Sequence, residues 1–95
     1  MIKVTLIKKD QEIVGLKISG HADYAECGRD LVCAAVSAIV TGGFNALRDD
    51  EIKEIRLAEG DAYVEVNNKN NETLRTMVIQ LQTLEEAYPQ YIKIK

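Results

Sequence analysis

Apolar and polar positions alternate through the first twenty residues, as they do in strands that bury one face. Segments 2–8 and 12–19 each have an apolar side chain at every second position: Ile2, Val4, Leu6, Val14, Leu16 and Ile18. The polar residues 9–11 between them predict a tight turn, although the strong Asn-Gly and Asp-Gly signals are missing. The pattern therefore predicts an antiparallel hairpin whose second strand runs into Gly20 and His21.

Three later segments also have strand character. Segments 51–58 and 62–67 predict a second strand pair around a turn at residues 59–61, with Ala62, Val64 and Val66 on one face of the later strand. Residues 91–95, which follow Pro89, predict a short last strand.

The apolar spacing between the two strand pairs predicts a long helix from Asp30 to about Asp49. Asp is a favoured N-cap residue, because its side chain accepts hydrogen bonds from the first N–H groups. Apolar residues cover nearly the whole circumference, which predicts burial on most sides. Gly42 and Gly43 weaken a helix and predict a bend or a close packing contact there.

A second helix, capped by Asn70 or Asn71, is predicted to run to about Tyr88 and to stop before Pro89. Its single apolar stripe comprises Leu74, Met77, Val78, Leu81, Leu84 and Tyr88. The whole order is ββαββαβ, which predicts one α+β domain over residues 1–95, a mainly antiparallel sheet packed against two helices. Residues 21–29 show no period and predict a loop.

The charge and cysteine content exclude several functions. A net charge of −3 and a pI of about 5.1 argue against direct nucleic-acid binding and leave a basic peptide as a suitable partner. The longest apolar stretch, residues 31–40, is too short to cross a membrane, and no targeting segment is visible. One His and two Cys predict neither a metal site nor a disulfide framework, so we expect a cytoplasmic protein without a cofactor.

Chemistry concentrates between residues 20 and 37. Cys33 follows the proposed N-cap by three positions, where unpaired N–H groups and the helix dipole favour a thiolate. His21 is the only histidine in the chain and hence the only candidate base for a Cys-His dyad. N–H groups near residues 32–34 are candidate donors to an oxyanion.

Ordinary structural roles remain open for each of these residues. A Cys among apolar neighbours is often a small buried hydrophobe, and a lone His is often a surface or packing residue. A hydrogen bond to its own helix explains Ser37, and a helix cap fully explains Asp30. In a catalytic interpretation Asp30 orients His21, holds the helix start, or does both, and the cap role comes first because it follows from the sequence alone. Cys27 is interpreted as an incidental thiol.

Two sequence blocks resemble the ribosomal-processing cysteine proteases of the Prp family. The first is Gly20-His21-Ala22, and the second runs from Gly28 through Asp30-Leu31-Val32-Cys33 to Ser37. His21 and Cys33 are 12 positions apart, as in that family, and the likeness extends over the whole chain.

The resemblance implies an endopeptidase that removes the N-terminal extension of bacterial large-subunit ribosomal protein twenty-seven after an apolar, Phe-containing sequence. It implies Cys33 as nucleophile and His21 as base, with Gly20, Asp30 and Ser37 as supporting motif positions. It also implies a homodimer, which suits the small size, and a substrate-binding segment between His21 and Cys33 in which Tyr24 is a candidate contact. The alternatives are a ribosome-associated protein that binds without cutting, and a redox sensor using Cys27 and Cys33.

Overall fold

The computed structural model describes residues 1–20, 29–58 and 60–95, apart from the side chains of residues 29 and 30. The elements are β1 Ile2–Lys9, β2 Glu12–Ser19, α1 Arg29–Ala46, β3 Ile52–Ala58, β4 Asp61–Val66, α2 Glu72–Ala87 and β5 Ile92–Ile94. A short 3₁₀ turn, Asp49–Glu51, precedes β3 and was not predicted. The predicted α+β class and the order ββαββαβ are confirmed. The loop predicted for residues 21–29 lies outside the described residues except for Arg29, which begins α1.

The first hairpin closes through a two-residue turn. Lys9 pairs with Glu12, and the residues between them, Asp10 and Gln11, have φ values of 53° and 69°. Positive φ at both central residues gives the turn a twist that matches the twist of the strands. Asp tolerates this region better than most residues, which explains how the turn forms without glycine.

The sheet has five strands in the order β3-β4-β2-β1-β5. Each predicted hairpin forms, and β2 pairs with β4 so that the two hairpins share one antiparallel sheet. The last strand, β5, pairs parallel with β1 through Ile2 and Ile92. In the described part of the chain, β3 is therefore one outer strand and the three-residue β5 is the other.

One hydrophobic core lies between the sheet and both helices. Its sheet side is built from the predicted alternating positions, which include Ile2, Val4, Leu16, Ile18, Ala62, Val64 and Val66. The exception is Val14: a bulge pairs Ile13 with Lys8 and Ile7 with Gly15. Val14 is buried but lies outside the main core, whereas Ile13 packs against the core. The extra residue in the bulge shifts the alternation by one, so Ile13 takes the core-facing position that was predicted for Val14.

Helix α1 buries one stripe and not most of its circumference, so the prediction of burial on most sides is wrong. Its buried residues recur every four positions or nearly so: Val32, Val36, Val40, Phe44 and Leu47 just beyond its end. On the other side Ala34 and Ala38 are exposed, and Leu31 is 58% exposed. No helix in the described part of the chain is long and apolar enough to span a membrane.

Both ends of α1 differ from the prediction. The helix begins at Arg29, so Asp30 lies in its first turn and is not the predicted N-cap. It ends at Ala46, and the acidic residues 49–51 form the separate 3₁₀ turn, in which the Arg48 N–H donates to Glu51 Oε1 at 2.9 Å. Acidic side chains in the last turn of α1 would face the negative end of its dipole, which disfavours a longer helix.

Helix α2 has the predicted cap and stripe. The Asn71 side chain accepts from the Leu74 N–H at 3.0 Å, and Leu74, Met77, Val78 and Leu81 are buried. The close packing predicted near residues 42 and 43 occurs at Gly43, where a Cβ would collide with the Met77 side chain; Gly42 faces open space. The two helices can approach because position 43 has no side chain.

Candidate active site

A cleft of about 330 Å³ opens between the first half of α1 and one end of the sheet. The helix contributes Cys33, Val36, Ser37, Val40 and Thr41, which recur at helical spacing on one side of α1. The sheet contributes residues at the neighbouring ends of four strands: Ile2, Ile18, Gly20, Leu57, Ala58, Gly60, Asp61 and Ala62. The cleft is thus mainly apolar, with a thiol and a few hydroxyl and carboxylate groups on its walls.

Cys33 is half-buried and packs against the hydrophobic core while lining the cleft. The start of α1 at Arg29 makes it the fifth helical residue, one turn beyond the helix N-terminus. The Cα–Cβ bond of a helical residue tilts toward the N-terminus, which directs the Cys33 side chain back toward the first turn. The predicted oxyanion donors need correction, because the N–H groups that an α-helix leaves unpaired here belong to residues 29–31 and not to 32–34.

The end of β2 is fixed to the turn between β3 and β4. The Gly20 N–H donates to the Gly60 carbonyl at 3.1 Å, and both residues line the cleft. Gly20 has a φ of 85°, and a Cβ there would collide with the Met1 carbonyl oxygen, so only glycine fits. Gly20, the residue directly before His21, is therefore held in the wall of the cleft that contains Cys33.

The predicted site residues divide into those the structure brings to this cleft and those outside the described residues. Gly20, Cys33 and the exposed Ser37 all line the cleft. His21, together with Tyr24 and Cys27, falls outside the described residues, as does the side chain of Asp30. The grouping of Gly20, Cys33 and Ser37 is consistent with a single site built from the two sequence blocks.

Asp61 is a cleft residue that the sequence did not single out. Arg56 Nε donates to its Oδ2 at 2.9 Å, and this hydrogen bond holds the pKa of Asp61 below its ordinary value. The guanidinium also lies 5.3 Å from the centre of the Tyr63 ring. Asp61 is thus an ionised carboxylate at neutral pH, and its charge is paired with that of Arg56.

Leu57, Ala58 and Thr41 are further cleft residues that the sequence reasoning missed. The strand pattern of segment 51–58 predicted β3. It could not show that the end of this strand lies near α1, so nothing in the sequence indicated that these residues line a cleft.

A second depression, of about 440 Å³, lies beside the first hairpin turn and the start of α2, with Glu12, Asn71 and Arg75 in its lining. Its described lining includes no Cys, Ser, Thr or His, so the cleft at Cys33 is the candidate active site.

A half-buried cysteine one turn from the N-terminus of a helix, on the wall of a cleft, is an arrangement suited to a thiol-dependent enzyme. The family model described as "Cysteine protease Prp" matches residues 1–93. The chain belongs to this cysteine protease family, which confirms the resemblance inferred from its two sequence blocks.

Relatives from three bacteria align with most or nearly all of the chain. The ribosomal processing cysteine protease Prp of Staphylococcus aureus is 33% identical over 103 residues, covering 99% of this chain and 97% of its own. The Prp protein of Bacillus subtilis is 30% identical over 107 residues, covering 99% and 96%. The Mycoplasma pneumoniae protein is 37% identical over 87 residues, covering 84% of each chain.

Solved structures share the fold. The S. aureus Prp protease in complex with a substrate peptide superposes with a TM-score of 0.84 at 31% identity, covering 100% of this chain and 98% of that one. The same protease with a covalently linked product peptide gives a TM-score of 0.81 at 31% identity, with the same coverage. The mostly antiparallel five-stranded sheet with two helices is therefore the fold of a cysteine protease that acts on peptides.

Proposed function

We propose that this chain is a cysteine endopeptidase that removes the N-terminal extension of bacterial large-subunit ribosomal protein twenty-seven. Cys33 is the nucleophile and His21 the acid and base in this proposal. The observation that supports it most is the position of Cys33 in the same cleft as Gly20, the residue directly before His21. Gly20 of the first sequence block and Cys33 of the second therefore line one cleft.

The proposed reaction is acyl transfer through a Cys-His dyad. The Cys33 thiolate attacks the scissile carbonyl, and a carbon–sulfur bond forms. His21, as imidazolium, gives its proton to the amide nitrogen as the carbon–nitrogen bond breaks and the amine product leaves. Water then adds to the thioester and gives one proton to His21, and the carbon–sulfur bond breaks to release a carboxylic acid, which loses its remaining proton to the solvent. The cycle consumes only water and returns the thiolate and imidazolium, so no cofactor enters it.

The remaining motif residues have supporting roles in this proposal. Gly20 lets the substrate backbone approach closely, since no side chain projects from it. Asp30 holds the start of α1, orients His21, or does both, and Ser37 borders the nucleophile one helical turn further on.

The substrate assignment is supported by the names of the relatives and by the nature of the cleft. Relatives 30–37% identical are called ribosomal processing proteases. An apolar cleft suits an apolar segment before the cut, and the net charge of −3 suits a basic ribosomal protein. We further propose that residues 1–95 form a single protease domain that works in the cytoplasm as a homodimer, without binding nucleic acid or a membrane directly.

The experiment that tests this function uses the ribosomal protein with its extension intact. Wild-type enzyme should produce one shortened protein, identified by intact mass, and should leave unchanged a matched substrate whose apolar residues before the cut are replaced by Ser. Binding of the extended protein without any cut would favour the non-catalytic alternative. Cleavage of both substrates at equal rates would contradict the proposed recognition of an apolar segment.

A further inference from the structure

The outer strand β3 has an apolar strip that leads away from the cleft. Leu57 lines the cleft and is 56% exposed, and Ile55, two residues earlier, is 43% exposed. Large apolar side chains exposed in succession on one strand are unusual for a surface that faces only water.

The register of the sheet shows which face these two residues occupy. Ile55 pairs with Val64 and Leu57 pairs with Ala62, and both partners are buried in the core. Directly paired residues of antiparallel strands project to the same face, so Ile55 and Leu57 project on the helix side of the sheet. They are exposed because the described helices do not cover β3 at this position.

The charged residues of β3 do not fill this strip. Arg56 lies between the two apolar residues in sequence and therefore on the opposite face, where it pairs with Asp61 at 2.9 Å. Lys53 pairs with Glu65 at 3.3 Å. These ion pairs hold the cations against β4, and the side chains of Ile55 and Leu57 stay exposed.

β3 is also an outer strand, with no strand beside its far edge in the described part of the chain. Half of the N–H and carbonyl groups of an outer strand point away from the sheet and can pair with an extended peptide. A peptide in that position would place alternate side chains on one face, about 6.5–7 Å apart, which is the spacing of residues 55 and 57.

We infer that the substrate segment before the cut binds as an added strand along β3, with alternate side chains against Leu57 and Ile55. This inference rests on the proposed endopeptidase function and extends it. The substrate is the favoured occupant because Leu57 belongs both to the strip and to the cleft that holds Cys33, so a peptide along β3 would continue into that cleft. Leu57 and Ile55 then determine which substrate residues are accepted.

The first test separates binding from cutting. The Cys33→Ala variant is titrated with a synthetic peptide that has an apolar, Phe-containing segment before the cut and basic residues after it. A series of peptides carries one N-methyl group at each successive backbone nitrogen. Strand addition predicts that affinity falls about tenfold or more at every second position and little at the positions between, because N-methylation removes a donor only where that donor is used.

The second test changes the strip in the enzyme that retains Cys33. Leu57→Ser should raise KM about tenfold with little change in kcat, because the variant lacks the apolar contact that Leu57 makes with the bound peptide. Ile79→Ser is the matched control, because Ile79 is an exposed isoleucine on α2, 45% exposed, that lines the other depression. Circular dichroism and sedimentation of each variant report its folding and oligomeric state.

The outcomes separate this inference from the proposed function. Strand addition is overturned if the enzyme cuts normally, peptide affinity does not alternate along the N-methyl series, and Leu57→Ser has no effect. This result leaves the protease assignment standing. Alternating binding without any cut supports strand addition and contradicts the protease. A Leu57→Ser variant that dissociates into monomers while binding peptide normally shows that the strip is covered by a second copy of the chain, which also overturns the inference.

Discussion

The backbone N–H of Gly20 donates to the carbonyl of Gly60 at 3.1 Å, and this bond joins the end of β2 to the turn between β3 and β4. Both glycines line the cleft that contains Cys33. The bond fixes the position of Gly20, the residue directly before His21, on the wall of the cleft that contains Cys33.

Substitution of Gly20 tests whether the backbone conformation at this position requires glycine for stability. Gly20→Ala should lower the free energy of unfolding by at least about 1 kcal/mol, because φ is 85° and the added Cβ meets the Met1 carbonyl oxygen. Gly42→Ala is the matched control, since position 42 is helical and faces open space, and it should stabilise the protein by up to about 1 kcal/mol. Urea unfolding measures both, and equal stabilities would contradict this account of Gly20.

Asn71 joins α2 to the 3₁₀ turn before β3. Its side-chain oxygen accepts from the Leu74 N–H at 3.0 Å, and its Nδ2 donates to Glu51 Oε2 at 2.7 Å. Asn71→Ala should therefore cost about 1–2 kcal/mol of unfolding free energy, since a helix cap is lost and Glu51 loses a partner. The exposed Asn68→Ala should change it by less than about 0.5 kcal/mol. A thermal or urea midpoint for Asn71→Ala that matches the control would rule out the cap's contribution.

The Asp61–Arg56 pair gives a pH-dependent contribution to stability. The hydrogen bond from Arg56 holds the pKa of Asp61 below its ordinary value, so folding favours the ionised carboxylate. The stabilisation is present above about pH 4 and is lost as the pH falls through the lower folded-state pKa. The gap in unfolding free energy between wild type and Asp61→Asn should consequently shrink from pH 7 to pH 3. Asp49→Asn serves as an exposed control, and a gap of constant size would contradict the assigned pKa shift.

In the proposed mechanism His21 transfers protons and has no role in the core. His21→Ala should lower kcat/KM by at least about a hundredfold, since it removes the group that protonates the leaving amine. The free energy of unfolding should stay within about 0.5 kcal/mol of wild type. A variant that cuts normally shows that another group moves the proton, and one that unfolds shows that His21 is structural.

Local patterns were sufficient to predict most of the elements. Alternation in residues 2–8, 12–19 and 62–67 identified three strands, and the Asn71 cap and its stripe identified α2. These features depend on neighbours within a few positions, so the sequence shows them directly.

Features that depend on distant contacts were not predictable in the same way. The parallel pairing of β5 with β1 joins Ile92 to Ile2, which no local pattern specifies. The exposed side of α1 was predicted to be buried because its residues are small and apolar, yet burial depends on whether another element reaches them. The cleft also depends on distant contacts. Leu57 lines it together with Cys33 only because the end of β3 lies beside the first half of α1.

The most direct test of the nucleophile is cutting by single-cysteine variants. Wild type, Cys27→Ala and Cys33→Ala are incubated with a peptide that spans the cleavage sequence, and the fragments are identified by mass. We expect wild type and Cys27→Ala to cut at comparable rates, and Cys33→Ala to bind the peptide but to cut it at least about a thousandfold more slowly, because no thiolate attacks the carbonyl. Cutting by Cys33→Ala at the wild-type rate would contradict the central claim.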